Sequence, residues 1–184
     1  MKSQAVLELH VAELLQLFNA MDPAPFRERD LDPNADEYIV DWASETRADE
    51  PLEMVVHVGG DAATPANTSM LRDAVHEHFR RRSSSTRLRL RRLFRVGRIS
   101  LGIGLAFVAI AGTAAEYLGG VFSQGSTSSF VTESLAIGAW VALWRPLEIF
   151  LYDWWPIRSE ARLLDRLGEI DVRLLDARPQ ARPA

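Results

Sequence analysis

Residues 80–115 read RRRSSSTRLRLRRLFRVGRISLGIGLAFVAIAGTAA. Nine arginines fall between Arg80 and Arg98, and an uncharged apolar run from Ile99 to Ala115 follows directly. A helix needs about twenty apolar residues to cross the hydrocarbon core of a bilayer. Arginine clustered at one end keeps that end in the cytoplasm. The junction therefore predicts a membrane-anchored protein, with a first span over residues 99–118.

A second apolar stretch begins near Phe130 and predicts a second span over residues 130–155. The connection, 119–129, is short and rich in Gly and Ser. Basic residues return at Arg158, Arg162 and Arg166, so both ends of the pair obey the same charge rule and both termini are expected in the cytoplasm. Trp154 and Trp155 stand where interfacial anchors belong. Gly102 with Ala106, and Gly138 with Ala142, are small residues four apart, the spacing that lets helices approach closely in lipid.

Charge divides the chain as sharply as hydropathy does. Residues 1–79 carry sixteen acidic and five basic side chains, a balance of −11, while residues 80–98 carry nine arginines and no acid. An acidic soluble part is thus joined to a basic juxtamembrane helix. There is no cysteine, which excludes disulfides and thiolate metal sites. The N-terminal apolar residues are interrupted by Glu8, His10 and Glu13 and do not read as a signal peptide.

Within the soluble part, Ala5 to Val11 alternate with period two and predict a strand, with Glu8 and His10 on its outer side. Leu14, Leu15 and Phe18 predict a short helix that Asp22–Pro25 breaks. A second helix is expected over 34–46, capped by Asn34 and Glu37, with Ala35, Tyr38, Ile39 and Trp42 as its apolar stripe. Leu52 to Val58 reads as a second strand, with His57 facing outward. A further helix starts near Thr68, with Met70, Leu71, Val75 and Phe79 on one side, and can run with few breaks through the arginine cluster into the membrane; Ser83–Ser85 is its weak point and the place for any hinge. Ile170 to Leu175 alternates again, and a shared cytoplasmic location predicts that it joins the same sheet. The fold class expected is an integral membrane α-helical hairpin of two transmembrane helices, with a small α/β cytoplasmic domain built from N-terminal and C-terminal segments. Residues 156–184 supply a cytoplasmic helix and that last strand.

Candidate chemistry is sparse. Arg145 and Glu148 lie three apart inside the second span with Tyr152 one turn on, and paired charges are what a span tolerates. They read as an intramembrane ion pair or, in an oligomer, as pore-lining groups. Asp30, Asp32, Asn34, Asp36 and Asp41 approach the spacing of a calcium loop, but Ala35 replaces its turn glycine and Asp41 is shorter than the usual Glu. A helix N-terminus accounts for them better. His76 and His78 are two apart, so they do not share the helix face a zinc pair needs. No metal, cofactor or catalytic residue is expected. Arg80, Arg81, Arg82, Arg87, Arg89, Arg91, Arg92, Arg95 and Arg98 are expected to bind anionic lipid phosphates rather than nucleic acid, because lipid is the nearer phosphate.

Two segments carry a resemblance. LFNAMDPAPFRERDLD, residues 17–32, and WVALWRPLE, residues 140–148 with 149–157 after it, resemble a bacterial two-span membrane-protein family of unassigned function. The resemblance spans most of the chain and implies the two-span topology without implying catalytic residues. The expected function is non-enzymatic: a homo-oligomeric protein of the bacterial inner membrane presenting its cytoplasmic domain as scaffold or adaptor for a protein partner. The alternative is an oligomeric ion channel or transport-related protein with Arg145 and Glu148 near the cytoplasmic mouth.

Overall fold

Two segments of alternating apolar residues and a more continuously apolar one between them form strands: β1 (Ala5–Val11), β2 (Leu52–Val58) and β3 (Asp171–Asp176). They make one parallel sheet in the order β1-β2-β3, with Leu7 opposite Met54 and Met54 opposite Val172. The C-terminal strand therefore pairs with β2, one residue later than its sequence pattern suggested. The computed structural model describes residues 4–22, 29–59, 63–121 and 126–177. The chain divides into two units, residues 1–86 with 159–184 and residues 87–158.

Sheet order explains the core of the first unit. Crossovers between parallel strands are almost always right-handed. The steps β1 to β2 and β2 to β3 move the same way across the sheet, so their helices fall on the same face. Burial agrees. Leu7, Met54, Val56, Val58, Val172 and Leu174 are buried with Ile39, Leu71, Phe79 and Leu164 from the helices. The alternate residues Val6, Glu8, His10 and Arg173 stay exposed. His10 and His57 do occupy that outer face, and their rings stack at 4.4 Å.

Helix α1 (Pro33–Glu45) is capped by Asp32, whose side chain accepts from the Asn34 amide at 2.9 Å, with Pro33 in the first helical position. This displaces the Asn34–Glu37 box: proline needs no amide partner in the first helical position, so the cap falls at Asp32, two residues before Asn34. Ile39 and Ala43 are the buried residues of α1, whereas Tyr38 is exposed. The expected helix at Leu14–Phe18 is only a 3-10 turn, Leu14–Leu17. Phe18 instead bridges Leu31, and backbone bonds from Asn19 to Asp30 and from Asp32 to Leu17 tie the segments together. Part of the proline-rich break, residues 23–28, lies outside the described residues.

Helix α2 (Pro65–Val121) runs unbroken through the serines that were the weak point of the expected helix. Ser83 is buried and donates to Asp165 at 2.6 Å, and Ser85 donates to the Arg82 carbonyl. A hydroxyl engaged by another helix, as that of Ser83 is, does not compete for the hydrogen bonds of its own helix. The returning strand is pinned to α2. His76 Nε2 donates to the Ile170 carbonyl at 2.7 Å, and Arg72 donates to that of Val172 at 3.2 Å.

After α2 come α3 (Ser126–Glu148), a π-helical turn (Ile149–Asp153) and α4 (Trp154–Leu167), of which the residues from Ser159 onward belong to the first unit. The helices thus invade both ends of the expected 119–129 loop, and residues 122–125 lie outside the described residues. Two helical stretches, Pro65–Tyr117 and Glu133–Leu167, are long and apolar enough to cross a membrane, and only 11% of the most apolar 18-residue window of each is buried.

The contact between α2 and α3 follows a seven-residue step. A Cβ on Gly97 would lie 2.9 Å from Ile149 Cγ2, and one on Gly104 would lie 3.0 Å from the Ala142 carbonyl oxygen. Ala111 continues the step, is buried, and lines an apolar cleft of about 260 Å³ with Leu135, Ala136 and Ala139. Ile149, Ala142 and Leu135 are themselves seven apart, as antiparallel helices in left-handed packing require. This corrects the pairing of Gly102 with Ala106, since nothing lies within 4 Å of a Cβ on Gly102. Gly138 and Ala142 do lie on the contact side: Gly138 meets Phe107.

Candidate functional site

The arginine cluster divides by partner. Arg81 donates to Glu77 at 3.1 Å and lies 3.9 Å from Asp30, and Arg82 pairs with Asp36. The Arg80 stem lies against Gly168. These three belong to the α/β unit. Arg89, Arg91, Arg92, Arg95 and Arg98 are exposed and meet no acidic side chain among the described residues. Arg87, Arg91, Arg95 and Arg98 follow steps of four, four and three, which place them on one helix face. Phe94 and Gly97 face the second helix instead, Phe94 stacking on Phe150 at 6.2 Å. The result is an amphipathic stretch with one cationic side.

The ion pair expected at Arg145 and Glu148 forms and takes in a further acid. Arg145 donates to Glu148 at 2.8 Å and also reaches Asp153 at 3.4 Å. Tyr152, expected on this face, is 71% exposed. The cause is the π turn, which adds a residue per turn and shifts the following side chains round the helix. Trp155 is exposed as an interfacial anchor should be. Trp154 is not. It donates to the Phe150 carbonyl at 2.8 Å, tilts against Phe94, and carries the Arg158 guanidinium 5.6 Å above its ring.

The densest polar cluster was not legible as a unit in the sequence. His78 on α2 contacts Asp30 through Nδ1 at 3.3 Å and Asp36 through Nε2 at 3.1 Å, and Arg82 bonds the second Asp36 oxygen. The acidic residues whose spacing approaches a calcium loop are engaged at the start of α1, as the helix N-terminus reading expected. Asp32 caps α1, and Asp30 and Asp36 hold the start of α1 against α2. Among the described residues no group of His, Cys, Asp or Glu is placed to hold a metal ion.

Burial, the largest influence on Asp36, pushes its carboxyl up. Hydrogen bonds and positive charge from His78 and Arg82 together outweigh burial and leave it below the usual carboxylate range. Its contribution is thus present above the unfolded value of 3.8 and disappears as pH falls through the lower folded value. Asp36→Asn should cost about 1–3 kcal/mol at neutral pH. Denaturant titrations of both proteins should converge in strong acid, and a gap that persisted there would show that the carboxylate charge is not what matters.

Cavities on the α/β unit are shallow. One of about 440 Å³ lies among Ala43, Thr46, Arg162 and Arg166. The Arg166 guanidinium is already engaged by the Arg47 and Glu50 carbonyls, both at 2.9 Å. The described strand order never reverses, so the sheet lacks the switch-point crevice in which open parallel sheets bind ligands. What the described residues offer chemically is a cationic helix face, two packed apolar helices and a sheet face that no described helix covers. No family model, curated protein or solved structure matches the chain.

Proposed function

We propose that this protein is a homo-oligomeric scaffold or adaptor of the bacterial cytoplasmic membrane, anchored by the α2–α3 hairpin and holding its α/β unit and both termini in the cytoplasm. The observation that carries this reading is the exposure of large apolar side chains on both long helices. Ile99, Ile103 and Ile110 on α2, with Ile137, Val141 and Trp144 on α3, are each more than half exposed. Water would not tolerate so much contiguous apolar surface, and lipid would. The cationic face of Arg87, Arg91, Arg95 and Arg98 adjoins that surface at one end, where anionic head groups lie. Charge asymmetry of this kind sets orientation. The uncovered sheet face is the part of the cytoplasmic unit free to meet another protein. Arg145 serves this reading as a structural ion pair with Glu148 and Asp153.

Reporter fusions at Met1 and Ala184 should both give the cytoplasmic signal, and an insertion at Ser126 the opposite one. A non-cytoplasmic signal at either terminus would overturn the topology. Each exposed arginine should add about 1 kcal/mol to anionic lipid binding. Replacing Arg91, Arg95 and Arg98 by Gln should therefore strip phosphatidylglycerol adducts from the purified protein in native mass spectrometry. Arg81→Gln, on a residue already paired with acids, should leave them.

A further inference from the structure

We propose that the uncovered face of the sheet is where two copies of this chain pair, with Val55 at the two-fold axis and Glu8 of one copy against Arg173 of the other. The inference rests on the oligomeric reading above and assigns it a surface. Parallel sheets are ordinarily covered on both faces, and here both crossovers put their helices on one. The open face keeps Val6 44% and Leu175 46% exposed at its two edges, while Val55 between them is already reduced to 8%.

Register supplies the argument for a second copy over any other occupant. Glu8 lies opposite Val55 on one side and Arg173 lies opposite it on the other, so one row crosses the sheet as acid, apolar, base. A two-fold axis along the strands through Val55 exchanges the positions of β1 and β3. Glu8 of each copy then faces Arg173 of the other, and Val55 meets Val55. Packed sheets lie about 10 Å apart, a gap that glutamate and arginine side chains bridge together. The row is complementary to itself, which is what an isologous interface demands.

The side chains are disposed to make the contact. Glu8 is exposed with no bonded partner among the described residues. Arg173 donates through Nε to Glu53 at 2.8 Å and lies 3.4 Å from Asp171, yet 59% of its side chain remains exposed. A guanidinium has five N–H donors, so those contacts do not exhaust it. Glu53 is the like charge nearest the axis, and it enters the interface already neutralised by Arg173 of its own chain. One row further on, His10 would come opposite Leu175, closing the patch with an apolar contact.

The chain has no cysteine, so Glu13→Cys places a single spin label just beyond β1. In liposomes the labelled full-length protein should give one narrow distance between copies. Glu8→Arg sets arginine against arginine and should reduce the paired fraction tenfold or more, and Arg173→Glu should do the same with two acids. Mixing the two variants should restore the narrow distance, because each new charge then meets its opposite. If Arg173→Glu fails to fold by thermal melting, Glu8→Arg decides alone, since that side chain is exposed and unbonded. A wild-type protein without a distance between copies overturns the inference. So does a distance that survives Glu8→Arg, or two folded variants that fail to restore it in the mixture. Failure here with cytoplasmic reporters at both termini leaves the anchoring reading standing, and reporters that contradict the topology remove that reading separately.

Discussion

Gly104→Leu should lower the thermal midpoint of the detergent-solubilised protein sharply, while Gly102→Leu, two residues away, should leave it almost unchanged. At Gly104 a Cβ alone would already lie 3.0 Å from the Ala142 carbonyl oxygen and 3.0 Å from Leu143 Cδ2. The first of these is backbone and moves only if the helix moves. The Ala142 carbonyl is also the one deprived of its helical donor by Pro146, which has no amide hydrogen. Close approach of Gly104 covers this oxygen, which would be left unsatisfied in an apolar environment. Overpacking of this kind costs about 1–3 kcal/mol in a core, and more when backbone must shift. Gly97→Leu should behave like Gly104→Leu, since Ile149 and Phe150 close on it. Gly102 and Gly112 have nothing within 4 Å. Four of the five tryptophans, at 140, 144, 154 and 155, lie in this unit, so their emission follows the transition directly. Equal losses at Gly102 and Gly104 would sink the seven-residue seam.

Phe79→Ala should unfold the α/β unit and leave the hairpin inserted. Phe79 is 0% exposed and belongs to the cluster that also holds Val56, Leu164 and Val172. Truncating a buried phenylalanine costs about 3–5 kcal/mol. A domain of this size is stable by about 5–15 kcal/mol in total, and a sheet packed on one face only has little reserve. Limited proteolysis should then cut freely within residues 4–59, Trp42 emission should shift to that of a solvated indole, and the reporter at Ser126 should keep its signal. Leu88→Ala, on a residue 52% exposed, should stay within about 0.5 kcal/mol of wild type. Retention of protease resistance in Phe79→Ala would show that the unit does not depend on this core.

Patterns that a side chain imposes on its own neighbours were legible in the sequence. The apolar run Leu52–Val58 gave the strand to the residue, and the period-two alternation of Ile170–Leu175 gave a strand shifted by one. Apolar length gave two helices capable of crossing a membrane. Local chemistry misled where two signals competed. Asn34 with Glu37 looked like a cap, but Pro33 fits the first helical position and hands the cap to Asp32. The triple serine looked like a weak point until Ser83 found Asp165, a residue 82 positions away.

The candidate site shows the same division. The nine arginines form one block in the sequence, and nothing local separates Arg82 from Arg87. Only the packing of α1 on α2 brings Asp30 and Asp36 to His78 and Arg82 and so removes two arginines from the cationic face. Asp153 comes within reach of Arg145 where a π turn, invisible to a count of 3.6 residues per turn, intervenes. Gly102 and Gly104 are equally small, and only the partner helix decides which one is needed.

What the sequence determined by itself is therefore every property set by a run of neighbouring residues: the strands, the apolar helices, the charge step between them and the absence of thiol chemistry. Tertiary structure decided which charges are neutralised, which glycines touch a neighbour and which face of the sheet stays open. Those depend on pairs far apart in the chain, such as Glu8 and Arg173 across Val55, and on crossover direction. No local periodicity encodes either one.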